Sequence, residues 1–389
     1  MNKISAIDNT ILEQLSTPCY ILEENLLIEN LTLIKRVEVE ADIEIILALK
    51  AFALWKTFPI FRNFFHSTTA SSLNEARLSY KEFKSKTHTY SPAYTEEEFA
   101  RIVKFSSKIT FNSWNQFNKF YPLVRGKASC GIRINPGYSE IKTDLYNPCS
   151  AGSRFGISIE NMPQQLPIGV QGFHCHNHCE SNSYALERTL EQIEQKFGMW
   201  LEQIEWLNLG GGHLITHKDY NIEHLITTLK KFKQQHKNLK LILEPGSAFL
   251  WQTGPLVASV IDIVENNNIR TAILDTSFTC HMPDCLEMPY HPVVRGAKQV
   301  STTTPCKTEF LYRLGGNSCL SGDWMGYWEF NHPLSEGDKI IFEDMNHYTT
   351  VKTSMFNGVQ HPSIILLRGN GELKMLRKFK YSDYRNRMC

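Results

Sequence analysis

Between residues 44 and 244, short apolar and β-branched runs alternate with stretches of helical period, which restricts this part of the chain to parallel strands joined by helices. The predicted strands are Glu44–Leu49, Phe64–Thr69, His88–Ser91, Lys108–Asn112, Ser129–Asn135, Gly169–His176, Trp206–Leu209 and Lys240–Glu244. Among the intervening segments, Ser72–Phe83 has Ser71 or Ser72 at an N-cap position, and Tyr184–Leu207 is amphipathic over most of its length. Eight β-then-α units predict a (β/α)8 TIM-like barrel, whose chemistry gathers at the C-terminal ends of its strands.

At 389 residues the chain exceeds what a single core usually organises, and its texture changes near residue 256. From there alternating or apolar runs follow one another without helices: Val257–Val264, Arg270–Leu274, Glu309–Leu314, Lys339–Phe342, Thr349–Met355 and Ser363–Leu367. The expected fold class is therefore α/β plus all-β, a barrel followed by a C-terminal β-sandwich or β-barrel domain. The expected division is a barrel over 23–255, a β domain over 256–389, and an N-terminal segment, 1–22, whose extended end could belong to either part, with pairing to the β domain as one option.

Charge excludes some partners. Lys and Arg number 41 against 40 Asp and Glu, a formal net charge of +1 that suits neither a nucleic acid nor an anionic membrane. The opening residues are polar and acidic, and no apolar run approaches the ~18 residues of a membrane span, so a soluble, cytoplasmic protein is expected. Ten cysteines scattered over so long a chain read as reduced thiols.

The motifs fall where a barrel would use them. Lys50 follows the first strand among Ile45, Leu47, Leu49 and Phe52, a setting that lowers an ammonium pKa and suits either Schiff-base chemistry or a lysine snorkelling at a strand end. Gly210, Gly211 and Gly212 follow the seventh strand, where bare backbone N–H groups can cradle a phosphate or form a plain turn. Glu244 and Gly246 close the eighth, delivering a carboxylate for a pyridinium N–H, for a metal or for nearby backbone. His174, His176 and His178 alternate at the sixth. They fit a zinc site, a platform for a planar cofactor, or buried histidines bonded to backbone. In the trailing domain Gly315–Asp323 presents Cys319 and Asp323 on a glycine-rich loop, with an inert buried thiol as the plain alternative. Tyr348 lies in a run, 344–358, with the alternation of a strand leading to a turn.

In this order and on this architecture the pieces resemble the pyridoxal-phosphate-dependent decarboxylases of the alanine-racemase-like fold, the group of ornithine and diaminopimelate decarboxylases, over nearly the whole chain. Leu274–Asp284, Leu286–Tyr290, Phe173–His176 with Cys179–Glu180, Cys319–Asp323 and Tyr348–Thr353 look like the carboxynorspermidine (carboxyspermidine) decarboxylase branch. The resemblance implies that pyridoxal 5'-phosphate is carried by Lys50, stacked by His176, held at its phosphate by Gly210, Gly211, Gly212 and Tyr348, with Gly246 beside it, and paired at its ring nitrogen by Glu244. It further implies that Cys319 acts as a proton donor supplied by the other subunit of a homodimer. The implied substrate is a small polyamine amino acid. Asp275 leads the candidates for its cationic tail, followed by Asp284, Glu180 and Asp323, and Arg154 is a candidate for the cofactor or a carboxylate. No metal is implied.

Two departures matter. Ser247 stands where ornithine decarboxylases carry an arginine that reaches the phosphate, so the phosphate needs another donor, and Leu320 stands where diaminopimelate decarboxylases carry a glutamate that reads the distal end of the substrate, which argues against diaminopimelate. His178 is a third departure without an evident role. The competing expectations are a decarboxylase of ornithine, arginine or diaminopimelate on the same fold, a zinc-dependent barrel hydrolase built on His174, His176 and Cys179, and a homologue that binds the cofactor without catalysis.

Overall fold

Strands buried on both faces need helices outside and side chains within, and residues 29–249 meet that need by closing on themselves. The computed structural model describes residues 5–288, 290–301 and 310–389. It divides into two units, Glu29–Phe249 and residues up to Ile28 together with Leu250–Cys389.

In the first unit the strands run in the order Glu44–Ile45, Lys240–Leu243, Trp206–Asn208, Val170–His174, Ser129–Arg133, Ser106–Phe111, Thr87–Tyr90, Thr68–Ala70 and Leu47–Ala48. Every pair is parallel. The first and last members are halves of one stretch interrupted at Ile46, so a single strand pairs on both sides and the sheet closes into the expected barrel. Each of the eight expected strands is present, with ends differing by a few residues. The largest change is at Thr68–Ala70, because Phe64 and Phe65 complete the turn that follows helix Phe58–Arg62 and pack their rings together.

Outside the barrel, helix Ser183–Leu201 buries Leu186, Leu190, Ile193, Phe197 and Trp200, a stripe of i, i+3 and i+4 positions, and Asn182 caps it by accepting the Ala185 N–H. Helix Leu73–Leu78 is capped by the Ser72 hydroxyl, which accepts the Glu75 N–H at 3.2 Å.

The second unit is a mixed sheet. Among the described residues its order is Ala297–Val300, Trp324–Phe330, Leu311–Gly315, Ile269–Leu274, Leu256–Asn266, Cys19–Glu23, Ser363–Leu367 and Leu373–Arg377, with Lys339–Phe342 also on Leu256–Asn266. Cys19–Glu23 runs parallel to Ser363–Leu367 and antiparallel to the start of Leu256–Asn266. Cys19, Ile21, Val257, Ile341, Ile365 and Leu367 form a common core there.

One expected strand is absent. Thr349–Met355 is a turn and an irregular segment: the Val351 and Lys352 N–H groups donate back to the Tyr348 carbonyl instead of to a neighbouring strand, and left-handed residues flank the segment at Asp344, Tyr348 and Asn357 (φ of 62°, 53° and 57°). Sequence reading also passed over Trp324–Phe330, Ala297–Val300 and Leu373–Arg377. Glu309, the expected start of the Leu311–Gly315 strand, and Pro289 of the 286–290 string lie outside the described residues.

Candidate active site

The barrel unit holds a cavity of about 620 Å³ whose wall includes Lys50, His174, His176, Arg133, Arg154 and Glu244. Residues from the ends of the first, fifth, sixth and eighth strands therefore converge, as expected of the C-terminal mouth of a barrel.

Lys50 sits in a tight turn after its strand, where Ala51 and Phe52 donate their N–H groups back to Ala48 and Leu49. Gly246 makes room for that turn, since a Cβ there would lie 2.5 Å from the Ala51 Cβ. Desolvation lowers the Lys50 pKa, the Arg133 charge adds to this, and Glu244 opposes both. Its Nζ lies 3.2 Å from His176 Nε2.

The Gly211 N–H donates to His176 Nδ1 at 2.9 Å, so a neutral His176 carries its proton on Nε2, facing Lys50. An ammonium there would set N–H against N–H. A neutral amine instead accepts the Nε2 proton. Burial foremost, with the Arg133 charge adding to it, holds the imidazole well below its ordinary pKa, in agreement with a neutral ring.

Glu244 is buried and doubly engaged, with His174 Nε2 at 3.1 Å on one oxygen and the Asn208 amide donating at 3.0 Å to the other. Burial alone would raise this carboxyl, but the interactions with His174 and Asn208 oppose it and hold Glu244 below the ordinary carboxylate range. Arg133 was not singled out in the sequence. It donates to the Tyr90 hydroxyl and to the His176 carbonyl, both at 2.8 Å, with its guanidinium over the Tyr90 and Phe155 rings. Asn208 and Tyr90 were likewise missed. Only their positions at strand ends marked them, and many polar residues share that position.

The three histidines diverge. The strand stops at His174, so His174 and His176 keep nearly parallel rings 6.3 Å apart, whereas His178 turns to Thr189 Oγ1 at 3.1 Å and packs on His213. Among the described residues no three His, Cys, Asp or Glu side chains gather as metal ligands. The glycine run is also more particular than expected. The Gly210 N–H goes to Asn208 Oδ1 and the Gly211 N–H to His176, so neither is directed at a phosphate, and Gly212 is the one whose amide these two bonds leave aside. The loop tolerates no side chain: a Cβ on Gly211 or Gly212 would meet backbone oxygens of Glu244 or His178 at 2.4 and 2.2 Å.

The remaining candidates are dispersed. Arg154 lines the cavity with its guanidinium over Phe155, its carbonyl accepting from Asn112, while Glu180 is exposed in the barrel unit at a left-handed residue. The other five belong to the β unit. Cys319 is exposed, on a loop where its N–H donates to Asn357 Oδ1 at 2.8 Å. Tyr348 begins the turn at 348–352. Asp323 is buried and accepts from Ser277 Oγ and from the Thr279 and Ser318 N–H groups, which makes it the organiser of the Cys319 loop. Asp284 pairs with Lys352. Asp275 accepts the Ser259 N–H at 2.9 Å, and burial raises its pKa.

A depressed lysine amine, an ionised buried carboxylate and an imidazole fixed in one tautomer suit a cofactor that has an aldehyde, a basic ring nitrogen and a flat face. These residues fit pyridoxal phosphate, and with the barrel they define an enzyme built around it. The sequence matches the family model described as "Pyridoxal-dependent decarboxylase, C-terminal sheet domain" over residues 19–346. It is 49% identical to a carboxyaminopropylagmatine decarboxylase of Synechocystis, covering 99% of this chain and 98% of that one. It is 42% identical to a carboxynorspermidine/carboxyspermidine decarboxylase of Campylobacter jejuni, covering 96% and 98%. The crystal structure of a Campylobacter jejuni carboxynorspermidine decarboxylase complexed with norspermidine superposes with a TM-score of 0.89 at 41% identity, covering 96% of this chain and all of that one. The chain belongs to the pyridoxal-phosphate-dependent decarboxylases of the alanine-racemase-like fold.

Proposed function

We propose that this enzyme removes the α-carboxyl group of a carboxylated polyamine, with carboxyspermidine or carboxynorspermidine as substrate and spermidine or norspermidine as product, in polyamine biosynthesis. The observation that carries the reading is near-full-length similarity, at 49% and 42%, to two decarboxylases of such compounds. The first of these favours a second reading, carboxyaminopropylagmatine, whose tail ends in a guanidine.

Bound pyridoxal phosphate would supply the electron sink for the pair left behind as CO2 departs. The roles of the chain's own residues follow from their chemistry. Lys50 would hold the cofactor covalently, and its burial lowers the pKa of its amine. His176 supports the ring, its plane fixed by Gly211. Glu244 binds the ring nitrogen with lone pairs that His174 and Asn208 leave available. Gly212 and Tyr348 serve the phosphate, and Arg154 a carboxylate or the cofactor. Cys319 delivers a proton from the second subunit of a homodimer, and Asp275, with Glu180, Asp284 and Asp323 behind it, serves the cationic tail. Among the described residues no helix is long and apolar enough to cross a membrane.

The test is a substrate panel on purified holoenzyme: carboxyspermidine, carboxynorspermidine and carboxyaminopropylagmatine against ornithine, arginine and diaminopimelate. Turnover of the carboxypolyamines at a kcat/KM at least tenfold above the amino acids supports the reading. Preference for any amino acid in the second group refutes it.

A further inference from the structure

We propose that Asp144, in addition to the carboxylates named above, is a specificity residue that holds a distal cation of the substrate's tail, an inference that rests on the carboxypolyamine reading above. A protonated amine leaving water for a cleft needs a counter-charge. Two carboxylates line the cavity among the described residues, Asp144 and Glu244. Glu244, which already accepts from His174 and Asn208, is the carboxylate assigned above to the cofactor's ring nitrogen. No ion pair engages Asp144 among the described residues, and it stands on the exposed part of the wall beside Leu145 and Tyr146.

Its position is held from both sides. Asp144–Tyr146 forms one turn of 3-10 helix, closed by the Asn147 N–H donating to the Asp144 carbonyl at 3.2 Å. Asn147 then ties the segment to itself, donating to the Ile141 carbonyl at 3.0 Å and accepting the Cys149 N–H at 2.9 Å. Further along, the Ser153 hydroxyl donates to the Pro148 carbonyl at 2.6 Å. A carboxylate on so braced a turn loses little freedom when it meets a cation. Lys50 and Asp144 share one cavity wall, so a chain whose α-amine reaches Lys50 can extend its tail toward Asp144 within one cavity. Ornithine, with a shorter tail, gains less from that carboxylate.

The experiment compares wild type, Asp144→Asn and Asp144→Glu as holoenzymes. It measures KM and kcat for carboxyspermidine and the competitive inhibition constant of spermidine, a ligand that binds without turnover. Asp144→Asn should raise KM and weaken spermidine each by roughly tenfold, about 1.4 kcal/mol, with kcat within about twofold of wild type, and Asp144→Glu should recover part of the loss. Asp144 is exposed, so cofactor absorbance and circular dichroism should stay unchanged. KM and spermidine inhibition within twofold of wild type would overturn the Asp144 proposal while leaving the substrate reading intact. If wild type fails to turn over any carboxypolyamine, the substrate reading falls and this proposal with it.

Discussion

His176 Nε2 lies 3.2 Å from Lys50 Nζ, and because Gly211 already donates to the other ring nitrogen, His176 faces the lysine as a donor. The site thus favours a lysine in its amine form, which a nucleophile requires. Lys50→Ala should abolish turnover, and Lys50→Arg should not restore it, because a guanidinium stays protonated and cannot serve as the amine. Single-turnover assays at high enzyme concentration check this, and appreciable activity in either variant would remove Lys50 from the chemistry.

Glu244→Gln keeps the shape of the side chain and removes its charge. Loss of a preorganised charge aimed at the reacting system costs roughly 10²–10³-fold in kcat. A fall of that size, with cofactor still bound, is the expected result of steady-state kinetics alongside a cofactor titration. An unchanged kcat would show that the carboxylate does no more than hold His174 and Asn208.

Mixing Lys50→Ala and Cys319→Ala subunits, each nearly inactive alone, should restore up to about a quarter of wild-type activity if a two-fold dimer shares its sites, since half the dimers are mixed and each carries one intact site. Activity is read after subunit exchange has been verified by mass spectrometry. No recovery despite exchange would place both residues on one chain's site.

Stability should fall on the acid side of neutrality. Burial lowers the pKa of His88 and His281 to about 3 and of His213 to about 4. Each takes up a proton on unfolding once the pH is below ~6.5 but resists it while folded. The unfolded state therefore binds more protons in that window, and the stability present above pH ~6.5 is lost as the pH falls toward 4, at a limiting slope of about 1.4 kcal/mol per pH unit per histidine. Urea unfolding midpoints at pH 7.5 and 5.5 test this, and equal midpoints would contradict the burial of these rings.

Much of the barrel was legible because its signals are local. A short β-branched run and an N-cap such as Ser72 specify their own segment, and Lys50, Gly246 and Glu244 could be placed simply by counting strands. What stayed hidden depends on contacts between residues far apart in sequence. Arg133 reads as an ordinary strand end until the fold brings Tyr90 and the His176 carbonyl to it. The amide of Gly211 looked free for a phosphate because nothing local reveals that His176 takes it, whereas the bond from the Gly210 N–H to Asn208 is local and was overlooked. The alternation of 344–358 imitates a strand, while the left-handed angles at Asp344, Tyr348 and Asn357 leave no trace in a hydropathy pattern.

The central claim, that Lys50 carries pyridoxal phosphate in the barrel cavity, is tested most directly by the visible spectrum of the purified protein with the cofactor added, followed by borohydride reduction and peptide mapping. The account predicts an absorption band of protein-bound cofactor and, after reduction, a pyridoxyl group on the peptide containing Lys50. A modification on any other lysine, or no stable adduct with cofactor in excess, would contradict it.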